Sequence, residues 1–113
     1  MTLPKTIDAG WAVFEIRYSA GLEIESEKMF GYVDFDERVV RINTDAPLPM
    51  LRETLLHECL HIIFAGVGLG EEKIETNNEN LTEQTTKGLM LFSRLNPFLF
   101  KWLIYGEGFY DPK

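Results

Sequence analysis

Fifteen residues in the middle of this 113-residue chain, Met50 to Phe64 (MLRETLLHECLHIIF), constrain its fold more than any other segment. Wound as a helix, they place Leu51, Leu55, Leu56, Cys59, Leu60, Ile62, Ile63 and Phe64 on several faces, the pattern of a helix that the rest of the molecule covers. Its ends are marked as well. Asp45 and the Pro47/Pro49 pair precede it, and Gly66, Gly68 and Gly70 follow it. Whatever else the chain builds must pack around this element.

The same segment carries the only two histidines, four residues apart, with a glutamate directly after the first: His57-Glu58-Cys59-Leu60-His61. Residues i and i+4 lie on one helix face a turn apart, so both imidazoles can reach one metal ion from the same side. Glu58 projects beside that ion, where it can take a proton from a water the ion holds. This is the HExxH arrangement of zinc hydrolases. The bland alternative is a histidine pair that packs and hydrogen-bonds in a core. Against it, two imidazoles and a carboxylate on one turn of a buried helix carry a desolvation cost that a bound cation with a trapped water offsets. Cys59 points away from the histidine face and reads as a small core residue; as the single cysteine it has no internal disulfide partner.

A catalytic zinc site has three protein ligands plus water, and no third histidine exists, so the third ligand must be a carboxylate. A second helix is expected from about Asn78 to Leu95, with Leu81, Leu89, Phe92 and Leu95 on its apolar stripe and Pro97 ending it. Glu79 and Glu83 sit at i and i+4 near its start, far enough beyond His61 for a loop and an antiparallel return. One of them can ligate the ion while the other hydrogen-bonds a histidine ring and fixes its tautomer. Glu79 is preferred because it leaves Glu83 one turn on, able to reach back; spacing alone leaves the reverse order open. Glu75 and Glu72 come next. Thr86 and Met90 continue the glutamate stripe, which would give this helix buried contacts on two sides. An exposed acidic pair at a helix N-terminus is the ordinary alternative.

The first half reads as strands. Phe14, Ile16 and Tyr18 alternate with Glu15 and Arg17, and Met29 to Phe35 and Val39 to Asn43 flank the polar connection Asp36-Glu37-Arg38 of a hairpin. An antiparallel sheet of about three strands is expected, with Ala20 to Lys28 as a loop or a weak extra strand. Gly68 to Asn78 reads as a solvated acidic loop. A last short helix, Phe98 to Tyr105, carries Phe100, Trp102, Leu103 and Ile104 as core or interaction surface. Nothing repeats and no linker is visible, so residues 1–113 form one domain.

The formal net charge of −7 argues against nucleic acid as a partner, since that affinity rests on lysine and arginine neutralising phosphates. No run of about 18 apolar residues suggests a membrane span, and the N-terminus, MTLPKTIDAG, lacks the regions of a signal peptide. A soluble, cytoplasmic protein is expected. With 45% hydrophobic residues the domain can bury a real but modest core, so a bound metal would add materially to its stability.

Three segments in sequence order, GYVDFDERVVRIN, TLLHECLHIIF and NENLTEQTTKGL running to Asn-Pro, resemble the small phage-encoded zinc metallopeptidases of the ImmA/IrrE type. The resemblance covers about Gly31 to Trp102, and only its HExxH element is highly specific. It implies that His57 and His61 bind zinc, that Glu58 is the general base, and that Glu79 on the next helix is the third ligand. Thr82-Glu83 stand where an Ala-Asn pair is common in that group, and an appended DNA-binding or sensor domain is not expected. The expected fold is α+β: a minimal zincin-like domain with the sheet packed on the motif helix, a second long helix and a short C-terminal one. The expected activity is hydrolysis of a peptide bond in a protein or peptide substrate. No convincing oxyanion donor can be named; Tyr105 and Tyr110 are candidates only because tyrosine hydroxyls can do this work, and both read first as core or surface residues. The competing expectation is a non-catalytic phage accessory or assembly protein, with a zinc site kept for stability and an acidic rim or aromatic C-terminus that binds a partner.

Overall fold

The computed structural model describes residues 3–24, 27–28, 30–68 and 78–106. The protein is α+β. Its elements run β1 (Thr6–Asp8), β2 (Val13–Ser19), β3 (Glu23–Ile24), β4 (Glu27–Lys28), β5 (Gly31–Asp34), β6 (Val39–Asn43), α1 (Leu48–Gly66), α2 (Asn78–Leu95) and α3 (Pro97–Tyr105). The main sheet has the order β1-β2-β6-β5, and β3 pairs with β4 in a separate two-stranded ribbon.

The sheet differs from the expected one in two respects: it has four strands, and it is mixed. β1 lies antiparallel to β2 (Ile7 opposite Phe14), and β5 antiparallel to β6 (Val33 opposite Val40), but β2 and β6 run parallel, with Ile16 opposite Val40 and Tyr18 opposite Ile42. The parallel pair follows from the order of events along the chain. After β2 the chain leaves the sheet, returns at the far edge as β5, and turns back through residues 35–38 into the slot beside β2. The turn is held by the Asp34 carboxylate, which accepts the Glu37 backbone N–H at 3.0 Å, and it closes on Arg38 at φ 56°, a left-handed conformation.

Burial follows from that order. β6, in the interior, is buried on both faces at Val39, Val40, Ile42 and Asn43, whereas β2 alternates, with Phe14 and Ile16 inside and Val13, Glu15 and Arg17 outside. Ile7, Phe14, Ile16, Val40 and Ile42 form the sheet's side of one core; Leu51, Leu55, Cys59, Ile62 and Ile63 of α1, Phe92 of α2, and Leu99, Trp102 and Leu103 of α3 form the other. The result is two layers, helices on one face of the sheet.

α1 begins one residue after Pro47, whose ψ of 159° is extended, and ends before Gly68, whose φ of 81° is left-handed. Asp45 does not cap it: its carboxylate accepts the Gly21 N–H at 2.9 Å instead. α2 meets α1 at Gly88, where a Cβ would stand 2.4 Å from Ile63 Cγ2, so only glycine allows the two helices this approach. The expected apolar stripe of α2 holds at Leu89 and Phe92 but not at Leu81, which is 43% exposed. Between α2 and α3, the buried Asn96 takes the place of a neighbouring strand for β1. Its Oδ1 accepts the Asp8 N–H at 2.8 Å, and its Nδ2 donates to the carbonyls of Asp8 and Phe92 at 2.7 and 3.2 Å. Among the described residues, no helix is long and apolar enough to cross a membrane.

Candidate metal centre

His57 and His61 stand on successive turns of α1 with their rings inclined at 75° and their Nε2 atoms 3.2 Å apart. Two nitrogens at that distance can share one proton as N–H···N, and the separation also matches the edge of a tetrahedral site. Ligands at about 2.0–2.1 Å from zinc lie about 3.3 Å from one another. The donor set therefore fits a zinc ion at two of its corners. The helix alone produces this geometry, because an i,i+4 pair with both rings turned to the same side has no other place to converge.

Between them in sequence, Glu58 is only 5% exposed, while His57 is exposed and His61 half-buried. The carboxylate thus sits at the wall of the molecule and the imidazoles at its mouth. Cys59, the next residue, is fully buried on the core side of α1, and burial, with the Glu58 charge second, pushes its thiol far above the usual range. A thiol held neutral in this way is neither a ligand nor a nucleophile, in keeping with its reading as a core residue.

His57 and Glu58 open into a groove of about 440 Å³ whose other lining residues are Phe30, Gly31, Met50, Glu53 and Thr54. One side of the groove is the first turns of α1 and the other is the start of β5, the edge strand of the sheet. Strand and helix come this close because Gly31 has no side chain. A Cβ there would lie 2.9 Å from both the Arg41 carbonyl oxygen and Thr54 Cγ2.

Comparison with protein-family models, with curated proteins and with solved structures finds no match.

The carboxylate ligands are placed less completely. Glu83 is exposed on α2 and pairs with Lys87, one turn on, at 3.0 Å. Thr86 and Met90, on the same stripe, are exposed too, so the described part of that face is not a second buried side of the helix. The backbone of Glu79 belongs to α2, but its side chain lies outside the described residues, as do Glu72, Glu75 and Tyr110. Among the described residues, no group of three His, Cys, Asp or Glu side chains is placed to hold a metal. Tyr105 is 74% exposed at the end of α3.

The groove residues escaped the sequence reading. Three of the five carried a usable signal: Met50, Glu53 and Thr54 precede His57 at seven, four and three residues and so share its helix face. Phe30 and Gly31 carried none, since their place depends on which strand ends at the edge of the sheet.

Proposed function

We propose that the protein is a zinc-dependent metallopeptidase of the HExxH class, similar to the small phage-encoded enzymes of the ImmA/IrrE type and acting in the cytoplasm, that of the host cell if it is phage-encoded. The observation that carries this reading is the convergence of the two Nε2 atoms at 3.2 Å beside a nearly buried glutamate. His57 and His61 hold the metal, and Glu79 supplies the third ligand; Glu83, already engaged by Lys87, is the second choice. Zinc in such a site polarises a carbonyl and lowers the pKa of water to about 7.

The chain's own residues do the rest. The Glu58 carboxylate accepts a proton from the attacking water and later delivers it to the leaving amine, so one group serves as base and then acid. The outer edge of β5 pairs with no other strand among the described residues, and its free N–H and C=O groups offer an extended peptide a ladder alongside His57. A peptide laid there presents its backbone, not its side chains, to the histidines. The substrate is accordingly a protein or peptide rather than a nucleic acid.

The decisive variant is Glu58→Gln, which keeps shape and removes the base. After zinc reconstitution, wild-type protein should hold about one zinc per chain and cleave members of a broad peptide library. Glu58→Gln should hold as much zinc, melt near the wild-type temperature and cleave at least 100-fold more slowly, the lower end of what a positioned base contributes at about 10²–10⁴-fold. Equal cleavage by the two proteins refutes the mechanism. Zinc bound by both with cleavage by neither points to a non-catalytic zinc protein.

A further inference from the structure

The groove beside His57 has a chemical character of its own. Phe30 is 59% exposed and Met50 41% exposed, and they line the same depression, one from the strand side and one from the helix side. Single exposed apolar residues are ordinary on a protein surface. Two large ones that line a single concavity leading to a candidate catalytic glutamate make a binding surface, and its volume of about 440 Å³ is of the size that accepts a ligand group. Gly31 and Thr54 add no bulk. The only charged residues that line it, among those described, are Glu53 and Glu58, both acidic.

We infer that this groove takes a bulky apolar side chain, aromatic or long aliphatic, of the substrate residue next to the scissile bond, and that Glu53 at its rim favours a lysine or arginine in the adjoining position. That a bond beside this residue is cleaved rests on the metallopeptidase reading, whereas the side-chain preference rests on the groove alone. Methionine is unbranched and polarisable, so Met50 can fold over phenylalanine, leucine or methionine alike. The selectivity should therefore be for size and apolarity, with little discrimination among these three. An acidic neighbour would meet Glu53 with like charge and no lysine or arginine in the lining to offset it.

The test uses one peptide frame in which a single residue is Gly, Leu or Phe and its neighbour is Lys or Glu. Binding is read on the zinc-free full chain by backbone amide shifts, and kcat/KM is read on the zinc-loaded chain. The Phe and Leu peptides should bind at least fivefold tighter than the Gly peptide, with shifts centred on Gly31 and Thr54. They should also be cleaved at least tenfold faster, as apolar pockets discriminate by about that factor per methylene or more. Phe30→Ala and Met50→Ala, both at exposed positions, should collapse the Phe-to-Gly ratio, and Glu53→Lys should reverse the preference for Lys over Glu.

The two readings fail separately. Apolar selectivity in binding without any cleavage supports the groove and removes the peptidase. Cleavage or binding that is indifferent to the Gly, Leu and Phe series, or a ratio untouched by Phe30→Ala and Met50→Ala, overturns the inference whatever becomes of the peptidase.

Discussion

Two imidazole nitrogens 3.2 Å apart match the spacing of two corners of a tetrahedral metal site, and in the zinc site we propose the third corner falls to a carboxylate. The choice between Glu79 and Glu83 can be made by affinity. Loss of a direct ligand should nearly abolish tight zinc binding, whereas loss of a residue that only orients a ligand costs about 10- to 100-fold. Zinc titrations against a competing chelator should therefore show Glu79→Ala as the severe variant. Glu83→Ala should fall within the milder range or below it, because its exposed pair with Lys87 contributes little by itself. The reverse order would exchange their roles, and wild-type affinity in both would move the ligand to Glu75 or Glu72. The histidine pair and Glu58 were legible in the sequence because an i,i+4 relation is local and the helix guarantees it. The third ligand was not, since a carboxylate on another helix depends on how two helices cross, which no spacing rule encodes.

At the scale of elements, the crossing of α1 and α2 depends on one missing side chain. Alanine at position 88 would gain about 1 kcal/mol of helix propensity over glycine. Its Cβ would meet Ile63 Cγ2 at 2.4 Å and Val67 Cγ1 at 3.3 Å, and Ile63 is too deeply buried to swing aside. Overpacking of this kind costs about 1–3 kcal/mol, so Gly88→Ala should lower stability in urea melts by about 1–2 kcal/mol. In an Ile63→Ala background the 2.4 Å clash is gone and only the looser Val67 contact remains, so the same substitution should no longer destabilise. A stabilising Gly88→Ala in the wild-type background would show that the helices have slack. The limits of α2 and α3 were readable within a residue because Pro97 and the helical period mark them, but the sheet was readable only in part. β1 has three residues and one buried apolar side chain, Ile7, too short for alternation to register. The parallel pairing of β2 with β6 arises from the chain's return at the far edge, and strands carry no sequence mark of the direction of their neighbours. The double-sided burial of β6 was a partial signal, since Val39-Val40 breaks the alternation expected of a strand with one wet face.

For the whole molecule, the metal site we propose on the central helix would couple zinc binding to the stability of both layers. α1 contacts β5, β6, α2 and α3, so a ligand that binds only when α1 is docked stabilises the entire domain. At a thousandfold excess over Kd the gain is about 4 kcal/mol. In a chain of this size that should raise Tm by on the order of 15 °C over the chelated protein. The pH dependence has a definite sign. Protons compete with zinc for the same Nε2 lone pairs, so acidification weakens binding, and the zinc-dependent part of Tm should shrink as pH falls and recover as it rises to neutrality. Thermal melts with zinc and with chelator at pH 7.5 and pH 5 measure this directly. His57→Ala should melt at one temperature in both media, and a wild-type protein that behaves the same way would show that α1 holds no metal in the folded state.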